Sequence, residues 1–578
     1  MTEKIILQDA FKGYTVDQDK VIAPEETVRR FRRRLESLDL KILEQTLRID
    51  KGRLDIPVYF SYCGKDAADL TGTKKQMGKG ATATQAEASA VMELAERFSF
   101  FSFVKNEANF TVGTYREVAK DALPFEMIAR SVHDESDDLD QARRIFEELP
   151  LKWARAYNLT RDQSLLVPFD WFYAINEFNG PSAGNCVEEA LSQGICEIVE
   201  RHVSSLVSRG RLRLPAVDPD SVREPAVREM LLKYRNAGIE LYLTDFSLDT
   251  GIPTVGALAY DPNTFPEKSE IVWTAGTTPG PEKAVSRALT EVAQLAGDFN
   301  SGSNYVASGL PKFTRLEDAA FVVDAPRMVR ISEMPDLSND NIRIEVENLI
   351  AALADRSFEV LVLDTRHPQL QVPAFYTIVP GAHFRERAQG TSVGMFCAKL
   401  LCENLPPQAA IEHLQRFEQT LPGKYYLSFY LGSSYLALGK PEAALQHFRQ
   451  ALYRRPPVEE MVTIYSYSGI CYKEMGQYRR ALEVLREGEA LDRERTDIHN
   501  LKGFCYFKLK QHEQALRCFK KVIALDPTSA IDYANIASNY RDLGDSDQAI
   551  RYYVMALELD PTLSFARESL ERLMEGTA

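Results

Sequence analysis

Residues 187–208 read VEEALSQGICEIVERHVSSLVS, and they combine an apolar helical repeat with a line of polar side chains. The polar set has the spacing Q-x3-E-x2-E-R with two more members one turn apart before it, and consists of Asn185, Glu189, Gln193, Glu197, Glu200 and Arg201. Steps of three and four residues place such a set along one helix face. The stretch therefore predicts a long helix with a polar stripe.

Two other predicted helices carry the same kind of stripe. In TQAEASAVMELAERFSFFSF (84–103) the spacing is S-x3-E-x2-E-R, formed by Ser89, Glu93, Glu96 and Arg97. In PEKAVSRALTEVAQLAG (281–297) the spacing is R-x3-E-x2-Q, formed by Arg287, Glu291 and Gln294.

A solvated helix face is the plain alternative for any single stripe, because exposed glutamates are common. Three features argue against it. The glutamates at i and i+3 repel each other, lysine is absent from 80–104 and 185–203, and the neighbouring residues are small or apolar. Half-buried like charges are costly unless a cation joins them. Clustered carboxylates therefore favour Mg²⁺, which proteins usually hold together with phosphate oxygens.

Strand-like runs interleave with these helices, at 252–261, 358–365 and 373–381. This pattern predicts an α+β fold, with a mixed helix–sheet domain over residues 56–400. No G-x-G-x-x-G follows a strand and no GxxxxGK[ST] is present, so the sequence supports neither a Rossmann nor a P-loop nucleotide site.

The last quarter of the chain repeats itself. Gly432, Gly469, Gly503 and Ala537 are spaced by 37, 34 and 34 residues, each with a Tyr three residues later and an Ala twelve residues later. A period of 34 with these landmarks is similar to the tetratricopeptide repeat, in which small residues let paired helices pack closely. We predict a repeat array over 424–578 with a polar capping helix after Pro561, and a linker over 401–423.

Residues 1–55 are predicted to pack on the core domain. They include an amphipathic helix over 24–38 that begins at Pro24. Its basic run 29–34 invites a nucleic-acid reading, but Phe31 interrupts the run, and a solvated helix face explains it better.

Composition limits the functions. The 578 residues are 45% hydrophobic and 26% charged, with a formal net charge of −14, which disfavours a general nucleic-acid binder. No apolar run reaches membrane-spanning length, and the start has no secretory pattern. The eight cysteines never form C-x-x-C, which indicates reduced thiols in the cytoplasm. A cysteine nucleophile (Cys186 or Cys196, with His202 nearby) lacks any pattern that fixes its geometry.

The three stripes resemble the nucleotide-binding motifs of the YcaO family. They are complete and in order, and the flanks agree: GKGAT at 78–82, NGPSAGN at 179–185 and VPAFYTIVPG at 372–381. The resemblance covers roughly residues 15–400. It implies a mixed α/β domain that binds ATP and Mg²⁺ and activates a peptide backbone amide by O-phosphorylation, giving an azoline, thioamide or amidine.

The resemblance also implies roles for individual residues. The metal-side candidates are Glu93, Glu96, Glu189, Glu197, Glu200 and Glu291. The nucleotide-side candidates are Ser89, Arg97, Asn185, Gln193, Arg201, Arg287 and Gln294. Lys20 and Thr27 match a lysine and a hydroxyl that contact nucleotide in the family, although an exposed lysine and a helix-start threonine remain the alternative. Lys79 would contact phosphate or simply occupy a flexible turn.

Two departures leave the activity open. Azoline-forming members end in a P-x-P-x-P tail, whereas this chain ends ERLMEGTA, and no fused leader-peptide-binding domain is evident. The first hypothesis is an ATP-dependent enzyme acting on a protein or peptide substrate. The second is a non-catalytic scaffold that works through its repeats, as in stand-alone relatives described as accessory to methylthiolation of a ribosomal protein. We expect the array to bind a protein or peptide, the chain to form a homo-oligomer, and no nucleic-acid or membrane partner.

Overall fold

The computed structural model describes residues 4–300, 305, 307, 309–384 and 391–576. By its internal contacts the chain divides into two units. The first unit comprises Met1–Glu135 and Glu147–Ser392, and the second comprises Ser136–Phe146 and Val393–Ala578. The predicted domain boundaries stay predictions.

All described strands lie in the first unit. They are β1 (Leu43–Arg48), β2 (Val58–Cys63), β3 (Lys75–Lys79), β4 (Phe110–Gly113), β5 (Leu151–Asn158), β6 (Gln163–Pro168), β7 (Pro181–Ala183), β8 (Ala216–Val217), β9 (Glu240–Asp245), β10 (Thr254–Tyr260), β11 (Val272–Thr277), β12 (Met328–Val329), β13 (Leu361–Asp364) and β14 (Ala374–Ile378).

The helices of the first unit are α1 (Pro24–Glu36), α2 (Lys65–Thr71), α3 (Ala83–Lys105), α4 (Tyr115–Val118), α5 (Phe125–Ala129), α7 (Phe169–Asn176), α8 (Val187–Gly210), α9 (Pro225–Asn236), α10 (Pro281–Ala296), α11 (Ala320–Val323) and α12 (Ile342–Asp355). Those of the second unit are α6 (Leu139–Phe146), α13 (Val393–Asn404), α14 (Pro407–Thr420), α15 (Tyr425–Ala437), α16 (Pro441–Tyr453), α17 (Val458–Glu474), α18 (Tyr478–Leu491), α19 (Thr496–Lys508), α20 (His512–Leu525), α21 (Ala530–Asp542), α22 (Ser546–Leu559) and α23 (Ser564–Gly576).

The strands form three sheets with the orders β1-β2-β3, β11-β10-β9-β8-β12 and β4-β5-β13-β14-β7, and β6 pairs with β5. Every described pairing between these strands is antiparallel except β8 with β12. The predicted mixed helix–sheet architecture is confirmed.

Each stripe-bearing helix packs closely on a sheet at a glycine. A Cβ on Gly78 of β3 would lie 2.0 Å from the backbone N of Ala90 in α3, and one on Gly276 of β11 would lie 2.5 Å from that of Ala288 in α10. On α8, a Cβ at Gly194 would lie 2.4 Å from Oγ1 of Thr377 in β14. Because glycine has no side chain to separate helix from sheet at these points, each helix packs at a short, fixed distance from its sheet.

The repeat array is confirmed in the second unit. Helices α15 to α22 form four antiparallel pairs, and the small residues Gly432, Gly469, Gly503 and Ala537 are buried in them. The residue range 401–423, predicted as a linker, contains the end of α13 and the whole of α14.

The predicted N-terminal helix is also confirmed, and it begins at Pro24. Phe31 is buried, whereas Arg30 is largely exposed and pairs with Glu26 in the preceding turn. The basic run is thus a solvated face. Among the described residues, no helix has the length and apolarity needed to cross a bilayer.

Candidate functional site

The three stripes meet at one cavity of about 280 Å³ in the first unit. Its polar lining consists of Gln18, Lys20, Thr27, Lys79, Gln85, Ser89, Glu93, Glu96, Arg97, Asn185, Glu189, Gln193, Glu197, Arg201, Arg287, Glu291 and Gln294. Every residue named from the sequence as a metal-side or nucleotide-side candidate is in this lining except Glu200.

Helix α3 contributes two neighbouring carboxylates and one guanidinium. Arg97 Nε donates to Glu93 Oε1 at 3.0 Å and lies 3.6 Å from Glu96 Oε1. The i, i+4 pair therefore holds Arg97 between the two glutamates, so that its positive charge partly compensates the negative charge of both carboxylates.

Helix α8 continues the set. Glu197 Oε2 accepts from the backbone N–H of Gly180 at 3.2 Å, and its Oε1 lies 3.7 Å from Arg201 Nη2. The guanidinium of Arg201 also donates through Nε to Asn179 Oδ1 at 3.0 Å. The loop between α7 and β7 thus orients both members of the stripe.

Glu200 lies behind the cavity wall. It is 2% exposed, accepts from the backbone N–H of Thr277 at 3.2 Å, and accepts from Arg287 Nε at 3.1 Å. Arg287 in turn donates through Nη1 to Gln193 Oε1 at 3.2 Å. Glu200 therefore positions Arg287 of α10, and its Oε1 also lies 3.6 Å from Arg201 Nη1, but Glu200 is not among the residues that line this cavity.

Another charged residue of the cavity wall is Lys79, which lies between two glycines in the sequence. Lys79, at the end of β3, forms an ion pair with Glu291 of α10. Burial and the positive charge of Arg287 lower the pKa of Lys79 to about 7. The sequence allowed a flexible turn at this position, but the structure places Lys79 in the cavity lining.

Burial dominates the electrostatics of the carboxylates. It raises the pKa of Glu96 well above the ordinary value, and the negative charge of Glu93 adds to the effect. Burial likewise raises the pKa of Glu197, against the opposing charges of Arg201 and Arg97. A cation entering the cavity would relieve this cost, because it favours the charged form of each carboxylate.

Glu189 and Asn185 are bound to each other and to the N-terminal segment. Glu189 accepts from the backbone N–H of Val21 at 2.6 Å and from Asn185 Nδ2 at 2.9 Å. Asn185 Oδ1 accepts from Thr27 Oγ1 at 3.0 Å. These contacts fix Thr27 and the segment that carries Lys20 against the cavity, which is a structural role as well as a position in the lining.

The donor chemistry of the cavity fits Mg²⁺ and a triphosphate. Oxygen ligands are what Mg²⁺ prefers, and arginine and lysine are what phosphate prefers. Among the described residues, however, no group of three or more His, Cys, Asp or Glu side chains is arranged to hold a metal ion. Glu93, Glu96, Glu197 and Glu291 face arginine or lysine, so metal binding would exchange one cation for another.

Several lining and supporting residues were missed by the sequence. Gln18 and Gln85 line the cavity, and the fully buried Asp17 accepts from the backbone N–H of Ala81 at 2.7 Å. Asp17 thereby fixes the loop that directly follows Lys79. A lone aspartate in a segment without periodicity gives no signal of this contact.

The cysteines near the second stripe have no nucleophile geometry. Burial raises the pKa of the Cys186 and Cys196 thiols to about 12, so neither is a thiolate at neutral pH. His202 accepts at Nδ1 from the backbone N–H of His383 and belongs to a separate histidine cluster.

Residues 77–383 match the sequence model of the family described as YcaO cyclodehydratase, ATP- and Mg²⁺-binding. Tetratricopeptide repeat models match residues 404–459, 496–529 and 533–563.

Individual proteins are also similar to this chain in sequence or in structure. A protein of Methanothermobacter thermautotrophicus is 28% identical over 63% of this chain and 94% of its own length. The structure of YcaO from Methanopyrus kandleri, bound with AMPPCP and Mg²⁺, is 24% identical with a TM-score of 0.50, over 65% of this chain and 95% of that chain; it shows a shared fold. The Escherichia coli ribosomal protein S12 methylthiotransferase accessory factor YcaO is 25% identical over 53% of this chain and 56% of its own length.

Proposed function

The chain belongs to the YcaO family, and on that premise we propose that its cavity binds ATP with Mg²⁺ and uses them to activate a backbone amide of a protein or peptide substrate. The single observation that carries the proposal is the convergence of α3, α8 and α10, each with a glutamate and an arginine or lysine partner, on one cavity. The cavity wall carries both carboxylates and cationic side chains. A ligand that combines a cation with anionic phosphates, such as Mg²⁺ with ATP, would compensate the buried charges of both signs.

The carboxylates on the cavity wall are the proposed Mg²⁺ ligands: Glu93, Glu96, Glu197 and Glu291. The proposed phosphate contacts are Lys79, Arg97, Arg201 and Arg287. Lys20, Thr27, Ser89, Asn185, Gln193 and Gln294 would hold the rest of the nucleotide, and Glu189 and Glu200 would position their neighbours. When bound, ATP with Mg²⁺ would supply a phosphoryl group that converts the amide oxygen into a leaving group.

The chain's own residues would work by positioning and charge compensation. Arg287 is held by Glu200 and Gln193 before any ligand arrives, so its charge needs no reorganisation to meet a phosphate. Lys79 is held in the cavity lining by its ion pair with Glu291, where its ammonium group would be available to a phosphate oxygen. Such preorganised charge is the main protein contribution to phosphoryl transfer.

The test measures nucleotide binding and product together. We expect the intact chain to bind ATP only when Mg²⁺ is present. When a polypeptide substrate is added, we expect the chain to release ADP and phosphate while the mass of that substrate changes. Glu197→Gln should lower turnover by about a hundredfold, the usual effect of removing one preorganised charged group.

Glu188→Gln is the matched control. Glu188 is in the same helix, is buried, and accepts a backbone N–H from Gln8 at 2.6 Å, but it does not line the cavity. Equal losses in both variants, or ATP cleavage without any mass change in a bound polypeptide, would contradict the proposal.

A second function is a non-catalytic accessory factor. It is favoured by the four-repeat array, because tetratricopeptide repeats generally mediate protein or peptide binding, and by the accessory-factor name of the Escherichia coli relative. In that case Glu197→Gln would leave partner binding and cellular function intact, which separates the two functions.

A further inference from the structure

A cavity of about 460 Å³, lined mostly by residues that carry charged or polar groups, lies in the repeat array where the second repeat meets the third. Its lining comes from α18, α19, α20 and the turn after α18, and consists of Glu489, Arg493, His499, Lys502, Tyr506, Gln514, Arg517, Cys518 and Lys521. The cavity belongs to the second unit and shares no residue with the nucleotide cavity.

The floor of this cavity departs from the other repeats. Lys502 directly precedes the small residue of the third repeat, and the equivalent residues are Leu431, Ser468 and Ile536. All four are buried, and Lys502 is only 7% exposed. A charged side chain thus stands where the first and fourth repeats have a packing residue.

The partner of Lys502 departs in the same way. Lys502 donates to Glu489 of α18, and the residues equivalent to Glu489 are Leu452, Ile523 and Leu557. Apolar residues at such a contact are generally as stable as a buried ion pair or more so. Packing alone therefore does not explain the pair.

The rim of the cavity gives the sign of that ligand. Arg493, Arg517 and Lys521 are exposed cations around the floor lysine, against the single carboxylate of Glu489. The chain as a whole has a net charge of −14, so this is a local positive field in an acidic protein. Such a field attracts anions.

The spacing of the rim indicates an extended acidic peptide. Arg517 and Lys521 are four residues apart on α20, which is about 6 Å along a helix axis. Alternate side chains of an extended peptide are about 6.6 Å apart. Two carboxylates at i and i+2 of a bound strand therefore match the spacing of the two rim cations.

We propose that this cavity binds an acidic polypeptide segment through carboxylates at alternate positions. Lys502 would exchange part of its pairing with Glu489 for a peptide carboxylate. His499, whose Nε2 lies 2.9 Å from the carbonyl oxygen of Arg493, would hold the turn that presents Arg493. The proposal rests on the array alone and does not depend on the nucleotide chemistry.

The test uses the full chain and a fluorescein-labelled hexaglutamate, with binding followed by fluorescence anisotropy at low and physiological ionic strength. Arg517→Gln with Lys521→Gln should weaken binding about tenfold, as expected for the loss of two exposed charge pairs. Lys520→Gln is the matched control: it is adjacent, removes the same charge as Lys521→Gln, and its side chain donates to Tyr540 Oη at 2.8 Å and not to the cavity. It should change affinity less than about twofold.

A second variant distinguishes a loss of peptide binding from a loss of folding. Lys502→Leu with Glu489→Leu restores the apolar contact of the other repeats, so we expect a higher unfolding temperature by far-UV circular dichroism together with lost peptide binding. Binding that survives this change, an equal loss in Lys520→Gln, no binding by the unmodified chain, or displacement by inorganic phosphate as effective as by peptide would each overturn the proposal.

Discussion

The two units bury different side chains where their helices meet. In the first unit, α3, α8 and α10 meet at glutamates and arginines around a cavity. In the second, paired helices meet at fully buried alanines such as Ala444 and Ala481 and at the ring of Phe448.

The difference separates two sources of stability. Small and aromatic residues stabilise a helix pair without help, whereas buried charges leave a cost that only a ligand or an ion partner offsets. The first unit should therefore respond to ligands far more than the array does. Inside the array, the ion pair of the buried Lys502 with the half-buried Glu489 is an exception of the same kind, and we propose a ligand there too.

All three tryptophans (Trp153, Trp171 and Trp273) are buried in the first unit, so their fluorescence reports its unfolding. The strongest test of the comparison adds a non-hydrolysable ATP analogue with Mg²⁺ at about a hundred times its Kd. Linkage then raises the free energy of unfolding by about 2.7 kcal/mol. We expect this rise in urea denaturation followed by tryptophan fluorescence, and its loss with a chelator.

Glu96→Gln should remove at least half of that rise while changing the ligand-free stability little, because Arg97 keeps its bond to Glu93. Glu188→Gln should keep the full rise. If Glu96→Gln also keeps it, the buried carboxylate is not part of the ligand site.

The stripes could be predicted because helix periodicity is a local property. The three site helices begin and end within two residues of the predicted ranges, helped by Pro281 at the start of α10. The same spacing places Glu96 in the cavity lining but turns Glu200 toward the backbone of β11. Periodicity gives the face of a helix, and the packing of the neighbouring sheet decides what that face meets.

Contacts between distant segments could not be predicted. The bond from the Ala81 backbone to Asp17 and the ion pair of Lys79 with Glu291 join segments with no shared pattern. The grouping of residues 136–146 with the helical unit is a similar case, since the sequence between them and α13 spans most of the first unit. Only three-dimensional packing determines such pairs.

The array offers the converse test, a change that affects packing and no ligand. A Cβ on Gly503 would lie 2.7 Å from the ring of Phe519. Gly503→Leu should therefore destabilise the array by about 1–3 kcal/mol through overpacking, measured by far-UV circular dichroism. Gly503→Ala should cost less, because Ala537 occupies the equivalent position in the fourth repeat. A shift of the tryptophan transition as large as the circular dichroism shift would contradict separate sources of stability.

The smallest expected effect is the change of stability with pH that comes from the protonation of His383 in the first unit. His383 stacks on His133 with ring centroids 3.6 Å apart, and burial together with the positive charges of His133, His202 and Arg209 lowers the pKa of His383 to about 3. Between pH 6.5 and that value the unfolded chain binds a proton at His383 that the folded chain does not. Stability from this group therefore falls as pH falls below about 6.5, by up to about 1.4 kcal/mol per pH unit.

The raised pKa values of Glu96 and Glu197 act in the opposite direction, since the folded chain then binds more protons than the unfolded chain. The measured quantity is therefore the difference between the unmodified chain and His383→Phe, which keeps a ring against His133. From tryptophan-monitored denaturation at pH 7, 6 and 5, we expect the variant to lose less stability on acidification, and His512→Gln in the array to behave like the unmodified chain. Parallel pH profiles for His383→Phe and the unmodified chain would show that His383 takes up its proton equally in both states.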